Sequence, residues 1–344
     1  MTTNKIGFAC KWIDTPSQVD GIKSTDACKK YNTGTTTVAW LNSQTKTTAE
    51  AKLWSLMKQN IEATRKLIQK VGTLDEHLRM VRISSDILPV YTHEQWVYFW
   101  RTEDVQAYAS KAFAEVGRIA RDNGVRISFH PGQFCCLASD NSGVVDRSLE
   151  EFEYHADMAR WMGYGKTFQD MKINVHVSGK LGAAGFRAAY EKLSDVAKNC
   201  ITVENDEHVF GLDECLDLID LCPVVLDIHH HWVKTGEHIE ANDPRIEKVV
   251  QSWRGVVPTI HYSNSIESIW ADNYSNCKPD YHLLLESGVK KQQLRAHSNF
   301  YINSALNDWA LTHSAWSDIM CESKGKNLAS FELYAYRQRS QGNI

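Results

Sequence analysis

Nine side chains suited to divalent metals recur along this chain, most of them at the ends of short apolar runs: His93, His130, His176, Glu204, Asp227, His230, His261, His297 and Glu322. Six imidazoles and three carboxylates offer donors for more than one first-row ion, with positions left open for water and substrate. A single zinc would leave most of them unused. Any one histidine taken alone is as readily a hydrogen-bonded structural residue, so the recurrence at successive strand ends carries the metal reading. Spacing leaves some choices open. In LDIHHHW, Asp227 and His229 share a face if the strand continues; His230 joins Asp227 only if the chain has turned, and His231 competes with both. His93 in ILPVYTHEQW and His297 in LRAHSNF lie outside the apolar runs, where an isolated histidine is ordinarily a loop residue. The nine cysteines, from Cys10 to Cys321, show no CxxC spacing, which fits reduced thiols rather than a disulfide framework or a thiolate zinc site.

Side chains so far apart in sequence need a scaffold that returns repeatedly to one place. Eight short runs qualify as strands: 6 to 13, 78 to 85, 126 to 132, 172 to 179, 200 to 206, 223 to 230, 258 to 265 and 318 to 325. Helical patterns run between them, as at 148 to 162, where Leu149, Phe152, Ala156, Ala159 and Met162 recur every three or four residues. The pattern predicts an α/β chain folded as one (β/α)8 barrel over residues 1 to 344. In KINVHVSG, period-2 alternation turns Ile173, Val175 and Val177 toward the helices and Asn174, His176 and Ser178 inward. The same parity sends Ser128 and His130, Thr202 and Glu204, Thr259 and His261, and Met320 and Glu322 into the barrel. Each inward row ends in an imidazole or carboxylate near the C-terminal mouth, where barrel enzymes place their chemistry. Segments 20 to 48 and 266 to 296 are too long for tight connections and are expected to be extended loops or insertions.

Composition narrows the partners less sharply. The 344 residues are 43% hydrophobic with 7 prolines, enough for a large core. No stretch approaches about 18 apolar residues, and MTTNKIGFACKWID lacks the pattern of a secretory signal, so a soluble cytoplasmic protein without membrane contact is expected. A net charge of −4 does not advertise a polyanion partner, and the absence of a basic run weakens a non-catalytic DNA-binding module.

Five ordered phrases resemble motifs of the UV damage endonuclease family, within the xylose isomerase-like TIM barrel superfamily. They are FHPGQF (129 to 134), ITVENDE (201 to 207), LDIHHH (226 to 231), WRGVVPTIHYSNS (253 to 265) and MCESKGK (320 to 326). The resemblance runs from residue 6 to about residue 330 and implies a TIM barrel. It implies that the nine residues above form the metal cluster, selecting His230 over its neighbours. It further implies a set of divalent ions, expected to be three and most often manganese, with zinc, cobalt or magnesium as substitutes. Glu204, Asp227, His261 and Glu322 are the expected catalytic set. The implied partner is damaged double-stranded DNA, cut on the 5′ side of a cyclobutane dimer or 6-4 photoproduct to leave a 3′-hydroxyl; no protein partner is expected, and the chain is expected to be a monomer. Three dications against three carboxylates would leave the site near about +3, which offsets the chain's acidity toward phosphate.

Phe8, Gln133 and Phe134 match family positions that probe the disturbed base stack. A tyrosine is common at both phenylalanine positions, so the stacking surface is kept and a hydroxyl lost. Thr259 stands where the family often carries a lysine before the seventh-strand histidine, so metal affinity or preference is expected to differ here. Two alternatives are an abasic-site endonuclease resembling endonuclease IV and a metal-dependent sugar isomerase. The HPGQF and IHYS phrases favour the UV damage endonuclease resemblance over endonuclease IV, and against an isomerase stands the need for a lysine or carboxylate acid/base beside fewer metals, where this chain has histidines.

Overall fold

The computed structural model describes residues 4–19, 26–132, 134–269 and 276–341. Eight parallel strands close into a barrel in chain order: β1 (Ile6–Ala9), β2 (Met80–Arg82), β3 (Arg126–Phe129), β4 (Lys172–His176), β5 (Ile201–Glu204), β6 (Val224–Asp227), β7 (Thr259–Tyr262) and β8 (Asp318–Cys321). The register between β1 and β8, with Ile6 opposite Ile319 and Phe8 opposite Cys321, completes the closure. Helices alternate with the strands, so the chain is an α/β TIM barrel.

All eight strands are shorter than the apolar runs that announce them. On β1 the cause is local. Cys10 adopts φ 69°, which ends the extended run, and the next residues are tied elsewhere: the Trp12 amide donates to Asn32 Oδ1 at 2.8 Å and the Ile13 amide to Asn327 Oδ1 at 2.8 Å. On β6, Asp227 ends the strand by capping the helix Ile228–Thr235, its carboxylate accepting from the His230 amide at 2.7 Å.

The helices show why they pack. Ser142–Trp161 buries Phe152, Ala156 and Ala159 on one stripe, as the 3.6-residue period requires. Lys46–Gly72 is capped by the Thr45 hydroxyl, which accepts from the Thr48 amide, and buries Leu53, Met57, Ile61, Leu67, Ile68 and Val71. Each such side chain contributes roughly 1.5–3 kcal/mol on burial. The main core therefore lies between strands and helices, while Ala9, Met80 and Met320 form a small apolar cluster inside the barrel.

Of the two long excursions, 26–48 carries the short helices Asp26–Lys29 and Val38–Asn42, and residues 20–25 lie outside the described part. The second contains Tyr281–Glu286 and Lys291–Arg295, with 270–275 outside the described part, and returns through an antiparallel bridge between Ser265 and His297. That bridge brings His297 back beside the end of β7. Among the described residues no helix is long and apolar enough to cross a membrane.

Candidate metal centre

At the C-terminal mouth the inward parity brings one residue from each strand end into a ring: Ala9, Arg82, His130, His176, Glu204, Asp227, His261 and Glu322. Glu204 is its hub. One oxygen, Oε2, lies 3.2 Å from His130 Nε2 and 4.0 Å from His176 Nε2; the other, Oε1, lies 3.1 Å from His261 Nδ1 and 3.4 Å from His230 Nδ1. His261 Nδ1 also faces Glu322 Oε1 at 3.3 Å. Two ligand groups result, each with its donor atoms within 4.8 Å of one another: His130, His176 and Glu204, and then Glu204, Asp227, His261 and Glu322. A carboxylate shared between two groups is suited to bridge neighbouring ions.

The capping turn at Asp227 sends the three consecutive histidines to different places. His230 comes round to the mouth, with Nδ1 3.1 Å from the Asn205 carbonyl and 3.4 Å from Asp227 Oδ2. His229 is buried against the Leu294 carbonyl at 3.0 Å, and His231 faces Glu237 at 3.0 Å. His297 stands beside His230, ring centroids 6.3 Å apart, with Nδ1 3.0 Å from the Glu322 carbonyl. His93 falls outside both ligand groups: it lines a cavity of about 840 Å³ with Ser85, Asp86 and Glu151, and its Nδ1 accepts from the Gln95 amide.

The donor chemistry fits divalent ions. In His130, His230 and His297 the Nδ1 atoms meet the Pro131, Asn205 and Glu322 carbonyls, which fixes the proton on Nδ1 and leaves Nε2 as a lone pair. His130 Nε2 therefore meets a carboxylate oxygen as acceptor against acceptor, an arrangement that calls for a cation or a proton between them. Glu204 Oε1, Asp227 Oδ2, His176 Nδ1 and His261 Nδ1 are buried and find no hydrogen-bond partner among the described residues.

The electrostatics of the metal-free protein agree. Burial works against ionised Glu204, yet His261 and His176 beside it hold its carboxyl well below the usual range. Burial pushes Asp227 up to about 6, and the neighbouring Glu204 and Glu322 add to the rise. Although burial opposes a charged imidazole, Asp227 and Glu204 raise His230, and Glu204 and Glu322 raise His261. Protons are thus retained where cations fit.

Several contributors lie outside the expected ligand set. Asn174 on β4 donates to Glu204 Oε2, and Arg82 on β2 pairs with Glu322. Asn205 is buried and bonds Asp227 twice, its Nδ2 donating to the Asp227 carbonyl and its Oδ1 accepting the Asp227 amide, both at 2.9 Å. Glu207 sits 3.7 Å from His230 Nε2. Inward parity on β2 and β4 marks Arg82 and Asn174 once the barrel is known, whereas Asn205 acts on a neighbouring strand's backbone and leaves no periodic trace.

The expected DNA-contacting residues divide. Phe134 is 84% exposed on the rim, next to a 340 Å³ cavity lined by His130, Gly132, His176 and Glu207. Phe8 corrects the expectation: it is 1% exposed on the helix-facing side of β1 and packs edge-to-face on Trp12, so it cannot reach a base stack from that position. Gln133 lies outside the described residues. Thr259 is buried on β7, two residues before His261.

A family model described as UV-endonuclease UvdE matches residues 17–342. The UV DNA damage endonuclease of Bacillus cereus (strain B4264) is 26% identical over 295 residues, covering 83% of this chain and 82% of its own. The crystal structure of SacUVDE superposes with a TM-score of 0.72 at 22% identity, covering 99% of both chains. Endonuclease IV from Thermus thermophilus superposes with a TM-score of 0.53 at 13% identity, covering 80% of this chain and 94% of its own. These two structural likenesses concern the fold alone. With nearly its whole length matched by the family model, the chain belongs to the UV-endonuclease UvdE family.

Proposed function

We propose that this protein is a metal-dependent endonuclease that incises damaged double-stranded DNA on the 5′ side of UV photoproducts, leaving a 3′-hydroxyl. The observation that carries the chemical part is Glu204, shared between two ligand groups at the barrel mouth. His130, His176 and Glu204 would hold one ion, and Glu204, Asp227, His261 and Glu322 another; His93, His230 and His297 are the remaining ligands of a three-ion site, with manganese the favoured metal. Bound there, divalent ions supply an activated water and neutralise charge on the phosphate and the leaving oxygen.

The chain's own residues do the orienting. The carbonyls of Pro131, Asn205 and Glu322 hold three imidazoles with their lone pairs directed into the site. Asn174 and Asn205 fix Glu204 and the Asp227 backbone. Phe134 offers an exposed ring at the rim on which a base at a weakened step can stack, and a photodimer is extruded at lower cost than an intact pair. The substrate class rests on family membership, together with the name borne by the Bacillus cereus relative.

The test uses manganese-loaded protein and a labelled duplex carrying one thymine dimer, beside undamaged and abasic duplexes and a Glu322→Gln control. A nick immediately 5′ of the dimer, lost in the control, is the expected result. Cleavage of the abasic duplex alone would move the assignment to abasic-site repair, and no cleavage with any divalent metal would remove the nuclease reading.

A further inference from the structure

Among the described residues of the ring at the mouth, Arg82 is the charged member for which the metal reading has no use. A guanidinium cannot ligate a cation, yet Arg82 stands among three carboxylates that can. Its side chain is 14% exposed, close to the 10% of Glu322 and the 16% of His130, so it opens to the same mouth. Its reach follows from its neighbours. On one side Arg82 pairs with Ala9 of β1 and on the other with Ser128 of β3, both small. With only a methyl group on Ala9, the guanidinium extends over β1 and pairs through Nη1 with Glu322 of β8. The pair engages one of its five N–H groups, and Nε is buried with no partner among the described residues. Lys326, which begins the helix Lys326–Gln341, lies within electrostatic reach of both Arg82 and Glu322. Positive charge therefore gathers on the β8–β1–β2 side of the mouth and imidazoles on the β3–β7 side.

We propose that Arg82 is a substrate-binding residue that takes a non-bridging oxygen of a DNA phosphate while Glu322 holds its guanidinium in place. A planar fork with several donors can serve a carboxylate and a phosphate together, which a single ammonium cannot do in the same geometry. The assignment rests on the endonuclease reading above and adds to it a residue outside the ligand set.

The experiment measures binding of a fluorescent duplex with one thymine dimer by anisotropy, with the protein loaded with calcium in place of manganese so that the metal charge is kept and cleavage is suppressed, between about 50 and 200 mM KCl. Each phosphate contact contributes about 0.9 to the slope of log affinity against log salt. Arg82→Gln is expected to lower that slope by about 0.9 and to weaken binding about tenfold at the low-salt end. Manganese binding, followed separately by electron paramagnetic resonance, is expected to change less than DNA binding. An unchanged salt slope in Arg82→Gln, with manganese binding weakened instead, would overturn the proposal and leave Arg82 as a partner of Glu322 alone. Should that variant not fold, Arg82→Lys decides: charge is kept, so the slope stays, while affinity falls several-fold; wild-type affinity would overturn the proposal. Wild-type protein that binds no dimer-containing duplex would instead remove the endonuclease reading itself.

Discussion

Replacing Asn205 by alanine is the sharpest test of how the site is held together. Asn205 is fully buried one residue past β5, and its side chain satisfies both the amide and the carbonyl of Asp227 at 2.9 Å. Asn205→Ala leaves two buried backbone groups unpaired, at about 1–3 kcal/mol each, so a loss of roughly 2–6 kcal/mol is expected. An unfolding entropy near 2.1 cal/mol/K per residue gives about 0.7 kcal/mol/K for 344 residues. The melting temperature of the metal-free protein should therefore fall by about 3–8 °C in scanning calorimetry. Because Asp227 caps the helix that delivers His230, the same variant should bind manganese about 10–100-fold more weakly, as expected for loss of a group that orients ligands. A variant that melts within about 1 °C of wild type and binds manganese equally well would refute the view that Asn205 positions Asp227.

Three further outcomes can be measured alongside. Burial, reinforced by Arg126 and Arg254, lowers Lys172 from 10.5 to about 7, so between those values the unfolded chain binds the extra proton and stability rises with pH. Lys172→Met should remove a slope of up to about 1.4 kcal/mol, or roughly 2 °C, per pH unit between pH 7 and 9; a wild-type-minus-variant difference independent of pH would contradict this. Phe134→Ala should leave the melting temperature unchanged because the ring is exposed, but reduce selectivity for dimer-containing over undamaged duplex by about 1–3 kcal/mol, whereas Phe8→Leu should lower stability and leave selectivity intact. Thr259→Lys should change manganese affinity measured by titration, and equal affinity in the two proteins would show that position 259 does not set it.

Much of the barrel was legible because its signals are local and periodic. All eight strands lie inside the apolar runs, and alternation in KINVHVSG places Asn174 and His176 correctly inside, since one face is plainly apolar and the other polar. The run IGFA has apolar residues on both faces, so parity there gives no indication that Phe8 turns toward the helices while Gly7 and Ala9 turn inward. The LDIHHH triplet stayed open for a different reason: a single capping hydrogen bond from the His230 amide decides which imidazole reaches the mouth. His297 depends on a bridge that closes a long excursion, a contact with no counterpart in neighbouring residues.

The interior of the barrel also separates holding the fold from doing the chemistry. At the N-terminal end Arg126 pairs with buried Asp318 at 2.7 Å, and the Lys5 amide donates to the same aspartate, so that end ties β1, β3 and β8 together. A buried pair of this kind is costly to break on one side only, because the survivor is an uncompensated charge. Above it, polar contacts lead upward in a fixed order. The Thr202 hydroxyl donates to Asn174 Oδ1 at 2.8 Å, which requires the Asn174 amide nitrogen to face the other way, toward Glu204 Oε2. Oε2 is thereby engaged from below, and Oε1 is left to His261 and His230. The orientation of the shared carboxylate is thus set by a hydroxyl one layer beneath the site. Thr202→Val, which keeps the shape and removes the donor, frees the Asn174 amide to turn and should weaken manganese binding measured by titration, and unchanged affinity would show that this hydroxyl does not orient Glu204.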